Sequence, residues 1–161
     1  MTAKIRPAAG EYLDYYDRYI SLVPQGDVLV TLRDQIEQTV SYVSKLSEEQ
    51  GAFRYAPGKW SVKECVGHMI DTERIFAYRA LRVSRNDKTP IEGFEQDDYV
   101  KNGSFDSCAL ADLLAEFQTV RESTELFFEH LADEAWGRRG VANKSDITVR
   151  AIAYIVFRSC G

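Results

Sequence analysis

Residues 55–85 read "YAPGKWSVKECVGHMIDTERIFAYRALRVSR". Pro57 and Gly58 break the chain, and an unbroken helical pattern follows. Ser61 followed by Glu64 has the spacing of a capping box. The hydroxyl takes an orphan backbone N–H, and the carboxylate reaches back to the cap. The pattern predicts a helix from Val62 to about Arg85. One residue stands out on it. His68 lies in the second turn, and the chain has only two histidines. Its helical neighbours are Cys65, Asp71, Thr72 and Ile75, a mixed face. A packed histidine with satisfied ring nitrogens and a metal ligand in a bundle core both fit that position.

Outward from this helix, the pattern repeats on both sides. In "VLVTLRDQIEQTVSYVSKLSEEQ" (28–50), Leu29, Leu32, Ile36, Val40 and Val43 recur every three or four residues, with Asp27 placed to cap. Between about Ser107 and Leu131, the stripe is Leu110, Leu113, Leu114, Phe117, Val120, Thr124, Phe127, Phe128 and Leu131. Thr148 is placed to cap a fourth helix, "VRAIAYIVFRSCG" (149–161). Near the N-terminus, Tyr12, Tyr15, Tyr16 and Tyr19 follow helical spacing and predict a short helix over 11–19. "NDKTPIEGFEQDDYVKNGSFD" (86–106) is polar with Gly and Pro and reads as a long connection, of the kind that covers a site. "DEAWGRRGVANKSDI" (133–147) reads as loop. No stretch alternates cleanly and no hairpin dipeptide joins two β-type runs, so no strand is predicted. These segments predict one all-α domain over residues 1–161, a four-helix bundle with a short N-terminal helix, because each stripe buries itself only against the others.

Composition limits the function. The chain has 161 residues, 45% hydrophobic and 28% charged, with a net charge of -5. Its basic residues form no stripe, which argues against nucleic-acid binding. No apolar run approaches the ~20 residues that cross a bilayer, and the N-terminal residues lack a signal-peptide core. The expected location is therefore cytoplasmic, away from membranes. The three cysteines, Cys65, Cys108 and Cys160, are odd in number and far apart, against a disulfide framework or a zinc ribbon. Cys65 reads as a small buried hydrophobe. No Ser-His-Asp or Cys-His arrangement suggests covalent catalysis, and no general base is assigned.

The stretch "APGKWSVKECVGHMIDTERIFAYRALRVSRND" (56–87) resembles the signature of the DinB superfamily, the DinB/YfiT-like metal-dependent enzymes. "EYLDYYDRYISLVPQGDVL", "GFEQDDYV", "LADLLAEFQTVR" and "TVRAIAYIV" fit the same group in the expected order. The resemblance implies a four-helix bundle, often dimeric. It implies a divalent metal, zinc or nickel, held by three histidines. It implies thiol-dependent transferase or isomerase chemistry, or hydrolysis. The first ligand lies in the "GH" of the second helix, here Gly67-His68, which makes His68 the favoured metal ligand. Asp71 or Glu73 are candidates to orient it or move protons, and Glu73 with Arg74 for a structural ion pair.

The family's other two histidines lie on the fourth helix, in a Gly-His-x-x-His-His segment. Here the chain departs. Arg158 stands at the glycine, Ser159 at the first histidine, and the second falls beyond Gly161. Codons for "VFRSCG" with one base removed can read Val-Ser-Gly-His-Ala, so the expectation is a frameshifted, truncated fourth helix. With two of three ligands missing, metal binding is expected to be weak or absent and activity impaired. Any bound metal would draw a ligand from a second copy, such as His130, Cys160 or a carboxylate. His130 itself reads as a solvated helix end. It approaches His68 only if the second and third long helices run antiparallel. The shortened helix predicts an open groove and a homodimer. The other reading is a non-catalytic bundle that binds a small molecule or a protein partner in that groove. The N-terminal tyrosines, Phe94, Tyr99 and Trp136 are then candidate wall residues.

Overall fold

The structure is a computed structural model that describes residues 5–158. Ser159, Cys160 and the truncated end expected from the sequence lie outside these residues. Among the described residues, the helices are α1 (Asp17–Ile20), α2 (Val28–Val43), α3 (Glu48–Gly51), α4 (Val62–Ser84), α5 (Gln96–Gly103), α6 (Leu110–Glu129) and α7 (Val149–Arg158). The bundle is α2, α4, α6 and α7. No described helix is long and apolar enough to cross a membrane.

Local chemistry sets the helix starts. Ser61 Oγ accepts from Glu64 N at 3.0 Å while Glu64 Oε2 accepts from Ser61 N at 2.9 Å. The capping box is therefore complete, and Ser61 also donates to Asp106 at 2.5 Å. Asp27 accepts from Leu29 N at 2.9 Å, and Thr148 from Ala151 N at 3.2 Å. Helix α6 starts at Ala109, which has no capping side chain. Glu48 of α3 supplies the missing acceptor, taking Leu110 N at 2.9 Å. Asn86 ends α4 in the left-handed region, φ 60°, where asparagine tolerates the strain.

Contacts along the helices fix their directions. Going down α4, Arg74 meets Glu116 of α6, and Arg85 lies over the Phe127 ring at 5.8 Å. Ser61, just before α4, meets Asp106, just before α6. The helices α4 and α6 therefore run parallel. Helix α2 opposes α6: Arg33 bonds Glu125, and Gln35 bonds Arg121, one turn earlier on α6. The far end of α7 lies beside the early turns of α4, because Ile155 shares a cavity with His68 and Thr72. Two adjacent parallel helices need a long return, and residues 85–109 provide it.

Two apolar clusters fill the bundle. One joins α7, the second half of α4, Phe128 and Trp136. The other joins Ile36, Val66, Met69, Ile70, Leu113, Leu114 and Phe117. The described part of α7 is enclosed, with Val149 and every residue from Ala151 to Val156 at most 3% exposed.

The segment read as loop holds a β-hairpin. β1 (Arg139–Ala142) pairs antiparallel with β2 (Ser145–Thr148). The turn residues Asn143 and Lys144 both have positive φ, 48° and 65°, as a two-residue turn of type I′ requires. The turn lacks the usual glycine and each strand has only four residues, so no sequence signal marked it. Ile91 N donates to Val141 O, and Asn143 N to Ile91 O, each at 2.9 Å. The hairpin thereby pins the return segment. The short N-terminal helix also differs: a 3-10 turn, Asp14–Tyr16, leads into α1. The return segment itself contains α5. Cys65 is exposed, not buried as expected, because it lies off the Val66–Met69–Ile70 stripe.

Candidate functional site

Residues four, four and three apart on a helix share one face. On α4 these are His68, Thr72, Phe76 and Arg79, and they form one wall of a cavity of about 440 Å3. Tyr15, Tyr16 and Tyr19 close it from the N-terminal segment, Trp60 from the turn before α4, and Ile155 from α7. Phe94, Glu95, Gln96 and Asp97 of the return segment and Asn143 of the hairpin complete it. The long connection expected to cover a site therefore supplies much of the wall, together with the hairpin.

His68 is partly buried at one end. The Trp60 ring lies against it, centroids 4.8 Å apart and tilted by 46°. Thr72 Oγ1 is 3.4 Å from Nδ1, a weak contact. Burial pushes the imidazole below its ordinary pKa, and the charge of Asp97 offsets this in part. The ring is therefore held neutral near pH 7. Gly67 behind it has a packing reason: a Cβ there would sit 2.3 Å from the Phe105 ring, and one on Gly103 would meet the same ring at 2.3 Å. Phe105 fills the space between two glycines.

The other sequence candidates separate from this site. His130 caps the end of α6 and is exposed. With α4 and α6 parallel, it stands at the far end of the bundle from His68. Glu73 faces away from the cavity and is bound by Arg121, not Arg74. Arg74 pairs with Glu116 at 2.6 Å on the surface. Asp71 does not line the cavity, and burial raises its pKa. Trp136 is fully buried in the core against Phe128, 5.4 Å between centroids. Tyr99 lines a neighbouring cavity with Phe94. Among the described residues, no three His, Cys, Asp or Glu side chains converge to hold a metal. Among the described residues, the donor set at His68 is one imidazole, a threonine hydroxyl and a more distant carboxylate, which by themselves do not fit a closed or catalytic zinc site.

Arg79 is the wall residue the sequence reading missed. It is 3% exposed. Its Nη2 donates to the Glu92 carbonyl at 3.1 Å, and its guanidinium carbon lies 4.8 Å from the Phe76 ring centroid. Nε has no partner. Burial lowers its pKa, and the neighbouring Tyr16 partly offsets that. The available signal was register: Arg79 falls between Phe76 and Val83 on the buried stripe, eleven residues after His68.

The family model of the DinB superfamily matches residues 31–158. The chain belongs to the DinB superfamily. Among solved structures, this DinB-superfamily chain is similar to YfiT from Bacillus subtilis, described as a probable metal-dependent hydrolase with an unusual four-helix bundle topology. The TM-score is 0.73 at 13% identity, covering 99% of this chain and 93% of YfiT. It is also similar to the mycothiol-dependent maleylpyruvate isomerase, with a TM-score of 0.69 at 10% identity. That match covers 83% of this chain and 56% of the isomerase, so the chain spans about half of that protein's length. No curated protein matches the chain. At these identities the structural likeness shows the DinB fold alone.

Proposed function

We propose that this DinB-superfamily chain binds a small organic molecule in the cavity between α4, α7 and the N-terminal tyrosines. We propose further that any chemistry there depends on the neutral imidazole of His68. The observation that carries the reading is the cavity itself: about 440 Å3, the size of a small-molecule site, walled by rings and marked at one end by a partly buried histidine. YfiT's description as a probable metal-dependent hydrolase and the isomerase's mycothiol dependence support a catalytic role for this fold. A neutral imidazole can accept a proton from a hydroxyl or thiol of a bound molecule. It can also ligate a divalent ion, but a single imidazole holds zinc or nickel weakly, since each missing ligand removes binding free energy.

Metal analysis of protein purified without a tag tests this. Zinc, nickel and iron well below one per chain, unchanged in His68→Ala, is the expected result. Stoichiometric metal that His68→Ala removes would overturn it in favour of a metal-dependent enzyme.

A further inference from the structure

Among the described residues, two arginines are almost wholly buried, Arg79 and Arg121, and they are treated differently. Arg121 meets the Glu73 carboxylate through three short bonds and also bonds the Leu32 carbonyl and Gln35. Its charge is matched. Arg79 is 3% exposed and meets no carboxylate among the described residues. Its guanidinium donates to one neutral carbonyl, that of Glu92, and the Tyr16 phenol, whose pKa burial raises, is a neutral neighbour. Nε is left without any partner. A buried cation with neutral neighbours is costly to maintain. The cost makes sense where a ligand brings the missing charge. The guanidinium is held beside the Phe76 and Phe94 rings, 4.8 Å and 5.8 Å from their centroids, and it lines the cavity described above.

We propose that Arg79 is the recognition residue for the carboxylate of an organic acid bound in the cavity, with the acid's apolar body lying along the ring-lined wall toward His68. This rests on the small-molecule reading of that cavity. Eleven residues of α4 separate the two ends, ~16 Å at the helical rise. A carboxylate suits the flat, forked donors of a guanidinium. A phosphate dianion suits the site less, because Glu95 and Asp97 line the same cavity and would repel it.

Matched acid and amide probes separate the claims: benzoate against benzamide and crotonate against crotonamide, with inorganic phosphate as a third arm, read by thermal shift and calorimetry. The expected result is at least tenfold tighter binding of each acid than of its amide. That ratio should fall to about one in Arg79→Met, stay partly in Arg79→Lys, and survive in His68→Ala. Arg79→Met should also melt at or above the wild-type temperature, because an apolar replacement removes an unmatched buried charge. A purely structural arginine would instead give a lower melting temperature with no acid preference. Acid and amide binding equally would overturn the proposal and leave the cavity reading standing. Binding of no probe would overturn both. Phosphate as tight as benzoate would overturn the carboxylate assignment. Should Arg79→Met fail to fold, the wild-type ratios and Arg79→Lys decide.

Discussion

Glu73 and Arg121 have side chains 0% and 1% exposed, and three N–H···O contacts of 2.8 to 3.0 Å join them. The pair sits between the two apolar clusters, where water cannot replace a lost partner. Breaking such a pair costs more than the pair itself contributes, because the surviving charge is stranded. Glu73→Gln should therefore destabilise the fold by about 3–5 kcal/mol, and Glu73→Met with Arg121→Met should recover most of that loss. Urea denaturation of the three proteins measures it, and a double variant no better than the single one would refute the account. At this scale the sequence was only partly legible. His68 could be singled out on sight. The partner of Glu73 could not, because it lies 48 residues away, and the adjacent Arg74 offered a false answer. Arg79 was hidden for the same reason: a charged letter in a helix reads as surface until the packing around it is known.

The helices were legible because their ends are written in local chemistry. Asp27, Ser61 with Glu64, and Thr148 each cap as their spacing predicts. Direction was not, since an amphipathic stripe is the same for a helix pointing either way. The hairpin was hidden because Asn143-Lys144 is an uncommon choice for its turn. A tie between elements yields a second prediction. Glu11 Oε2 accepts from Thr148 at 2.9 Å and from Arg150 at 2.6 Å, and Oε1 accepts from Arg150 at 2.7 Å. Together these clasp the N-terminal segment to the start of α7. Burial alone would raise the Glu11 pKa, but the bonds from Arg150, Ala8 N and Thr148 outweigh it, and the net shift is downward from 4.5. A lowered carboxyl pKa means that the unfolded chain binds the proton first as pH falls. The clasp thus stabilises fully above the ordinary carboxylate range and is lost as pH drops through the folded value. Glu11→Gln should cost about 1.5–3 kcal/mol at pH 7, and its deficit against wild type should shrink as pH falls from the ordinary carboxylate range through the lowered folded value. Paired urea titrations at pH 7 and pH 3 check the sign.

Across the whole molecule, the all-α bundle and its DinB membership could be read from the order of the motifs, and the cavity only in part: the N-terminal tyrosines and Phe94 line it as candidates, while Tyr99 and Trp136 do not. Its wall draws on five separate parts of the chain, and only folding brings them together. A homodimer is our proposal for the assembly. The described stretch of α7 is covered, so the contact would use surface residues such as Tyr42, Phe53 and Tyr55, 72%, 63% and 74% exposed. Light scattering at micromolar concentration should give twice the chain mass. A single-chain mass throughout that range would rule the dimer out.

The return between the parallel helices has a consequence for how such proteins diversify. Phe94 through Asp97 face the cavity, yet they belong to a strap laid over the bundle, outside its apolar stripes. Insertions, deletions or exchanges there can reshape what the cavity admits while the four long helices keep their partners. Selectivity in this architecture is then inherited separately from foldability, so a swapped strap is the shortest evolutionary route to a new guest.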